Sequence, residues 1–304
     1  MAGGRLTLAE LGEDRFVADL TRLIPDSSRV LVGPGDDCAV VREPDGSLLL
    51  LKTDCVVEGV HYLPAEKPQR VGRKALCRAL SDIAAMGGKP ADALLTVFSP
   101  PETPAGYWKS VYRGALEAAS KYGVDIVGGE TSSAPFRAIN VALTGRLSDS
   151  RFVTRSGGAP GDVLFVTGLL GGSLKRKHWA FEPRIAEGNW LAAPGRANAM
   201  MDLSDGLAAD LPRLAAASGC AFRVESIPRA SGISLRAALH DGEDYELLFA
   251  VAAKNARRLD AGFRKKFPHL PLTRIGSLES GTPGSGNLDS GGFHHFSVAS
   301  ERRT

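Results

Sequence analysis

Acidic side chains recur at the predicted junctions between strands and helices, often beside glycine. They lie in six short segments: 33–37 between two strands, 53–54 at a strand end, 81–82 late in a helix, 128–131 after a strand, 202–206 at a strand-to-helix turn, and 242–244 before a strand. Carboxylates that converge raise one another's pKa, so clustering them is costly unless a cation neutralises them. Oxygen ligands without a His or Cys pattern favour Mg²⁺ over zinc. These segments therefore predict a divalent-cation site.

Glycine in the same segments suits phosphate binding. It lets backbone N–H groups approach a phosphate, and Asp205-Gly206 opens a predicted helix whose N-terminus attracts anions. Phosphoryl transfer needs positioning and charge neutralisation more than covalent help from the protein. The acidic and glycine-rich segments together predict a site for a metal ion and phosphate groups.

Each motif also has a simpler interpretation when it is taken alone. Asp36-Asp37 fits an ordinary turn, Asp205 a helix cap, and Glu243-Asp244 a solvated strand entry. Two familiar nucleotide motifs are excluded. Residues 168–173 follow a strand but lack the Lys-Ser/Thr of a P-loop, and Gly33-x-Gly35 lacks the third glycine and the downstream helix of a dinucleotide fold. Six acidic motifs in one chain favour function over chance.

Whole-chain properties narrow the class of protein. The 304 residues are 43% hydrophobic, which suffices for two ordinary cores. The net charge is only +3, from 37 basic and 34 acidic residues spread along the chain, so nucleic acid is not expected as a partner. Without an apolar stretch for a signal peptide or a bilayer, we expect a cytoplasmic protein with no membrane partner. The four cysteines lack a C-x-x-C pair, which predicts reduced packing residues.

The elements that must position these motifs divide the chain in two. In the first half, patterns predict helices at 7–24, 68–86 and 104–122, and strands at 29–33, 38–42, 48–53, 91–98, 124–127 and 137–147. Hairpins mixed with helices indicate the α+β class. A polar, glycine-rich stretch at 148–160 predicts domains at 1–148 and 149–304. The second half has predicted strands at 162–167, 200–203 and 245–251 and a helix at 206–218.

Seven ordered motifs carry a family resemblance. They are Gly-x-Gly-Asp-Asp-Cys-Ala-Val at 33–40, Lys-Thr-Asp-x-x-x-Glu-Gly-Val-His at 52–61, Leu-Ser-Asp-Ile-Ala-Ala-Met-Gly at 80–87, Gly-Gly-Glu-Thr at 128–131, Thr-Arg-Ser-Gly-x-x-Pro-Gly-Asp at 154–162, Asp-Leu-Ser-Asp-Gly-Leu at 202–207 and Gly-Glu-Asp-Tyr-Glu-Leu at 242–247. In order and spacing the chain resembles the thiamine-monophosphate kinase family, within the aminoimidazole ribonucleotide synthetase superfamily. The resemblance covers residues 8–296.

This resemblance implies a fold and a reaction. The implied fold has two domains: an N-terminal ATP-binding and Mg²⁺-binding domain that pairs into a β-barrel in a homodimer, and a C-terminal α/β sandwich-like domain that completes the site. The implied reaction transfers the γ-phosphoryl group of ATP to thiamine monophosphate, giving thiamine diphosphate. A phosphate monoester is largely ionised at neutral pH, so no residue is assigned as a general base.

The resemblance also implies roles for single residues. The implied Mg²⁺ ligands are Asp37, Thr53, Asp54, Asp82, Glu130, Asp202 and Asp205. The implied ATP contacts are Gly129, Arg155 and Ser204. The implied contacts to thiamine phosphate are His61, Glu243 and Phe293.

Four positions depart from the family pattern. Glu130 stands where Asp is usual, Lys52 where a small hydroxyl residue is common, Ala79 where Asn is usual, and Phe293 where Tyr or Trp is common. A cation at Lys52 could substitute for one of several Mg²⁺ ions. Two alternatives stay open: another enzyme of the superfamily that phosphorylates an amide or formyl oxygen of a ribonucleotide, and a catalytically silent protein that binds a nucleotide or thiamine phosphate.

Overall fold

The computed structural model describes residues 6–148, 151–173, 177–289 and 291–292. The first half contains, in chain order, α1 (Leu8–Leu11), α2 (Glu13–Thr21), β1 (Val30–Val32), β2 (Ala39–Arg42), β3 (Leu48–Val57), α3 (Pro68–Ala85), β4 (Lys89–Ser99), α4 (Ala105–Tyr122), β5 (Asp125–Ser133) and β6 (Ala138–Arg146). The second half contains β7 (Val163–Thr167), α5 (Lys177–Ala180), α6 (Ile185–Leu191), β8 (Ala199–Asp202), α7 (Leu207–Ala217), β9 (Ala221–Val224), α8 (Leu235–His240), β10 (Leu247–Val251), α9 (Ala253–Lys266) and β11 (Leu272–Glu279).

The strands form two sheets, one on each side of residue 148. The first has six strands in the order β1-β2-β3-β6-β4-β5, with β4 and β5 parallel and the other neighbours antiparallel. The second has five antiparallel strands in the order β8-β10-β7-β11-β9. This arrangement confirms the predicted α+β class, and the structure has one sheet in each half. Among the described residues both sheets are open at their edges.

Helix α3 is the central element of the fold. It begins at Pro68, which suits the first helical turn because its missing N–H would be unpaired there anyway. Most of its residues are buried, and it contacts α4 as well as strands of both halves. Its approach to α4 requires glycine: a Cβ at Gly72 would lie 1.8 Å from the carbonyl oxygen of Val111. A helix that packs on both sheets can carry side chains into the space between them.

The two halves also share their hydrophobic cores. Phe181 and Tyr245, from the second half, stack with ring centroids 4.0 Å apart inside the core of the first half. Ala85, at the end of α3, packs into a core built from β7, β10 and α9. The boundary predicted at residue 148 separates the sheets, and the domain division itself stays a prediction.

Several predicted elements are confirmed, and three details were wrong. Helices α3 and α4 and the β2–β3 hairpin lie where the patterns indicated. The helix predicted at 7–24 is broken in two at Gly12, whose φ of 79° is outside the helical range. Strand β3 does not end at residues 53–54 but continues to Val57, and residues 128–131 lie within β5 rather than after it. In both strands polar residues extend the pairing, which hydrophobic patterning alone does not reveal.

Within the described ranges, we find no helix with the length and hydrophobicity that crossing a bilayer requires.

Candidate metal and phosphate site

Three aspartates that are distant in sequence converge between the two sheets. Asp37 lies just before β2, Asp82 lies on α3, and Asp202 is the last residue of β8. Each offers a carboxylate oxygen, and these oxygens lie within 4.8 Å of one another. All three residues are buried. Helix α3 makes this meeting possible because it packs against both β3 and β8.

Charged and polar neighbours hold the three carboxylates in place. The ammonium of Lys52 lies 2.9 Å from Oδ1 of Asp82. The guanidinium of Arg155 donates to Oδ1 of Asp37, with Nε at 3.2 Å. Ser81 donates from its hydroxyl to Oδ2 of Asp202 at 2.6 Å. Each of these contacts occupies one oxygen of its carboxylate. Of the other three oxygens, Oδ2 of Asp37 is fully buried and, among the described residues, has no hydrogen-bond partner.

The electrostatics of the cluster disfavour three bare negative charges. Burial, followed by the negative charge of Asp37, raises the pKa of Asp202 to about 7. Burial also raises the pKa of Asp82 well above its usual value, although Lys52 acts in the opposite direction. Burial and the adjacent Asp37 raise the pKa of Asp36 to about 6. An added cation would reverse these shifts because it favours the ionised carboxylates.

The donor set fits Mg²⁺. A buried carboxylate oxygen without a partner is costly, since its desolvation is not compensated. Carboxylate oxygens are the ligands that Mg²⁺ takes in proteins, usually one or two together with water or phosphate oxygens. Asp37 belongs to the cluster with Asp82 and Asp202, and its unpartnered Oδ2 is an atom that a hard divalent cation would satisfy.

Asp54 borders this cluster but already has a cationic partner. Arg78 of α3 reaches both of its oxygens, at 3.2 Å from Nε and 3.1 Å from the second guanidinium nitrogen. Thr53 points to the opposite face of β3, because successive strand residues alternate, and its hydroxyl donates to Asn140 at 3.1 Å. The structure thus brings Asp54 near Asp82 and turns the side chain of Thr53 away from it.

The other predicted metal ligands lie apart from the three aspartates. Asp205 pairs with Arg213 at 2.5 Å, and its backbone N–H donates to the buried carboxylate of Asp210. Glu130 is exposed on the edge strand β5, where its carboxylate accepts from the N–H of Thr131 at 2.7 Å. Its strand lies three positions from β3 in the sheet, which is about 14 Å at the usual strand spacing.

The predicted ATP contacts lie in three different environments. Arg155 binds the aspartate cluster directly, and its backbone N–H also donates to Asp36 at 3.0 Å. Ser204 follows Asp202, and its carbonyl oxygen accepts from the N–H of Glu243 at 2.7 Å. Gly129 lies in β5 against β4, where a Cβ would meet the carbonyl oxygen of Leu95 at 1.9 Å. The structure brings Arg155 and Ser204, but not Gly129, to the space between the sheets.

Two of the predicted substrate residues are linked by a lysine that the sequence analysis missed. Lys74 of α3 is fully buried, and its ammonium lies 2.7 Å from Oε1 of Glu243 and donates to the carbonyl oxygen of His61 at 2.8 Å. His178 of α5 reaches Oε2 of Glu243 at 3.0 Å. Phe293 lies outside the described residues. Lys74 had one signal in the sequence: it falls three positions after Val71, on the apolar face of its helix.

This buried pair perturbs both of its members. Burial raises the pKa of Glu243, but the hydrogen bond to His178 and the charge of Lys74 outweigh it and lower that pKa to about 2. Burial lowers the pKa of Lys74 to about 8, against the attraction of Glu243. Glu243 also has a φ of 54°, a backbone conformation that residues other than glycine rarely adopt. Such strain is more common at functional sites than elsewhere.

Comparison with known proteins gives these residues a context. Residues 35–147 match the family described as AIR synthase related protein, N-terminal domain. Thiamine-monophosphate kinase of Rhodopirellula baltica is 36% identical over 292 residues, covering 88% of this chain and 89% of that protein. The enzyme of the same name from Escherichia coli (strain K12) is 33% identical over 310 residues, covering 88% and 93%.

A solved structure has the same fold at a similar identity. The structure of AaThiL complexed with AMPPCP and TMP is 31% identical and superposes with a TM-score of 0.83, covering 96% of this chain and 100% of that chain. Residues 35–147 therefore form a domain of the AIR synthase related class. The whole chain belongs to the thiamine-monophosphate kinase family.

Proposed function

We propose that this protein transfers the γ-phosphoryl group of ATP to thiamine monophosphate, giving thiamine diphosphate and ADP, with Mg²⁺ as the metal. The convergence of Asp37, Asp82 and Asp202 around an unpartnered carboxylate oxygen carries the proposal. Family membership supports the choice of substrates, since relatives over most of the chain are named thiamine-monophosphate kinase and AaThiL was solved with AMPPCP and TMP.

The chain's own residues suit the chemistry of this reaction. Asp37, Asp82 and Asp202 would hold Mg²⁺, which supplies charge neutralisation for phosphate oxygens when it is bound. Arg155 would turn its guanidinium to a phosphate, because its planar fork suits bidentate phosphate contacts. The acceptor phosphate is largely ionised at neutral pH, so these residues need to align the reactants rather than remove a proton.

The remaining assignments stay part of the proposal. Asp54 and Asp205 are ion-paired with Arg78 and Arg213, so a metal ion would bind them beside or in place of these arginines. Thr53 and Glu130 would bind a metal ion at a position other than the three-aspartate cluster. Gly129 and Ser204 are proposed ATP contacts. The substrate contacts are proposed to be His61, Glu243 and Phe293. Glu243 suits substrate recognition because Lys74 and His178 hold its carboxylate in one position.

A homodimer with a shared barrel is also part of the proposal. Helices α3 and α4 cover one face of the first sheet, and the other face carries exposed apolar side chains from three strands, among them Leu51, Leu94 and Val127. Exposed apolar side chains on one face of a sheet favour association. Sedimentation velocity should therefore give about twice the 32.1 kDa mass of the chain. We also propose a cytoplasmic location, consistent with four cysteines that are all free thiols.

One assay tests the reaction. Purified protein is incubated with ATP, Mg²⁺ and thiamine monophosphate, and we expect thiamine diphosphate and ADP in equal amounts. ADP release that requires a ribonucleotide instead would point to another enzyme of the superfamily. Binding of both substrates without product would point to a silent binding protein. Either result would overturn the proposed function.

A further inference from the structure

Lys52 places a positive charge inside the proposed metal site. It lies on β3 between Leu51 and Thr53, both of which face away from α3, so its own side chain points to α3. There its ammonium lies 2.9 Å from Oδ1 of Asp82, one of the three converging aspartates. A side chain in this position neutralises a carboxylate oxygen that a metal ion would otherwise bind.

The balance of negative and positive side chains at the site indicates how many divalent cations the site needs. Within the part of the chain that the structure describes, five carboxylates line or border the site: Asp36, Asp37, Asp54, Asp82 and Asp202. Three side-chain cations face them: Lys52, Arg78 and Arg155. Five negative and three positive groups leave two negative charges, which one divalent cation balances. Without Lys52 three negative charges would remain, and one divalent cation would no longer neutralise the site.

The hydrogen-bond pattern agrees with this charge count. Lys52 already contacts Oδ1 of Asp82, and Ser81 already donates to Oδ2 of Asp202. Among the described side chains, Oδ2 of Asp37 is the fully buried polar atom without a partner. A single ion bound through Asp37 would satisfy that atom. A second ion at the cluster would lie close to the Lys52 ammonium, and two cations a few Å apart repel each other strongly in a buried site.

We propose that the ammonium of Lys52 takes the place of a second divalent cation, so that the chain binds one such ion in the absence of nucleotide. This inference rests on the proposed metal site. It concerns how many ions the chain holds rather than whether the enzyme turns over, so it can be measured without any substrate.

The experiment counts bound Mn²⁺ by electron paramagnetic resonance, since the signal of free Mn²⁺ is lost on binding. At saturating Mn²⁺ we expect one ion per wild-type chain and two per chain of Lys52→Ser. Lys52→Arg keeps the cation and should bind one ion. Lys89→Ser removes an exposed lysine at the start of β4 and is the matched control, with one ion expected.

The outcomes separate this inference from the proposed function. Two ions in the wild type, or one ion in Lys52→Ser, would overturn the role of Lys52 and leave the proposed kinase intact. A wild-type chain that binds no Mn²⁺ would overturn both the inference and the metal site. Circular dichroism checks that each variant is folded. If Lys52→Ser does not fold, Lys52→Met keeps the aliphatic stem without the charge, and the same count of two is expected.

Discussion

Two buried carboxylate centres in this molecule differ in how completely they are satisfied. Glu246 in the second half accepts from Lys177 at 2.8 Å, from two nitrogens of Arg184 at 2.7 Å each, and from the hydroxyl of Thr167 at 2.9 Å. At the aspartate cluster, by contrast, Oδ2 of Asp37 has no partner among the described residues. The first centre is complete within the chain itself. The second requires something that the chain does not contain.

The number of hydrogen-bond partners distinguishes structural from functional acidic residues better than burial does, because Glu246 and Asp37 are both buried. Glu246 borders a cavity of about 760 Å³ in the second half, lined by the loops 168–172 and 266–271, yet its oxygens have no capacity left for a ligand. We call Glu246 the complete centre and the aspartate cluster the incomplete centre. Glu243, in the same motif as Glu246, has two side-chain partners and is the intermediate centre. The following variants test whether these three degrees of satisfaction correspond to three different roles.

The largest expected effect is at the incomplete centre. Asp202→Asn should reduce turnover about 10³-fold, because it removes one negative ligand from the site where phosphate charge must be neutralised. The hydrogen bond from Ser81 can persist to the amide oxygen. The thermal midpoint should be equal or higher, since repulsion between like charges is relieved. Initial rates of thiamine diphosphate formation and a thermal melt measure both quantities.

The control for this prediction is an aspartate outside the cluster. Asp260 forms an exposed ion pair with Arg264 on α9, so Asp260→Asn should leave turnover within about twofold. An Asp202→Asn enzyme with the wild-type rate would remove the distinction between the two centres.

The complete centre should respond in the opposite way. Glu246→Gln removes the buried carboxylate that Lys177 and Arg184 share and leaves Lys177 with only the longer ion-pair contact to Asp244 at 3.8 Å, so the free energy of unfolding should fall by about 3 kcal/mol. Turnover per folded molecule should stay within about threefold. Urea unfolding measures the first quantity. In the matched control Glu43→Gln, an exposed pair with Arg29 is lost, and the fall should be below about 1 kcal/mol. Equal losses in both variants would contradict the comparison.

The intermediate centre should affect substrate binding. Lys74→Met removes the ammonium that fixes Glu243 and the carbonyl of His61, so we expect KM for thiamine monophosphate to rise about tenfold, with a smaller change in kcat. Steady-state kinetics with each substrate varied separates these constants. Lys109→Met, at an exposed position of α4, should change neither. A fall in kcat at constant KM would place Lys74 in a role other than positioning.

The sequence predicted the participants of the site better than its arrangement. Helix α3 was predictable because Pro68 and Gly87 mark its ends. The acidic segments were noted because carboxylates recur at predicted junctions between elements, and the family resemblance supplied the ligand roles of the single aspartates. Their convergence depends on contacts such as Ser81 with Asp202, which are 121 positions apart and leave no local signal. Strand β3 was predicted too short for the same reason, since Asp54 is stabilised by Arg78 rather than by its neighbours in sequence.

Lys74 shows why a composition rule can hide a residue of the site. Lysine is almost never fully buried unless it is paired, so a lysine in a helix pattern is interpreted as solvent-facing. Here the partner, Glu243, is supplied by the other half of the chain. The sequence also did not predict the hydrogen-bond partners of Glu246, because Lys177 and Arg184 are more than 60 positions away.

The smallest expected effect is a pH dependence at the intermediate centre. The pKa of Glu243 is about 2 in the folded protein and near 4.5 when unfolded, so its stabilising contribution is complete above pH 4.5 and is lost as pH falls toward 2. The difference in unfolding free energy between wild type and Glu243→Gln should therefore be larger at pH 6 than at pH 3. Urea unfolding at both values measures it.

A second background identifies the cause. In Lys74→Met the ion pair is absent while the His178 contact remains, so the same Glu243→Gln substitution should give a smaller change between pH 6 and pH 3. An equal change in both backgrounds would assign the low pKa of Glu243 to His178 and the charge of Arg78 rather than to Lys74. Lys74 would then no longer be the link between Glu243 and His61, and the intermediate centre would resemble Glu246, a carboxylate held for structure.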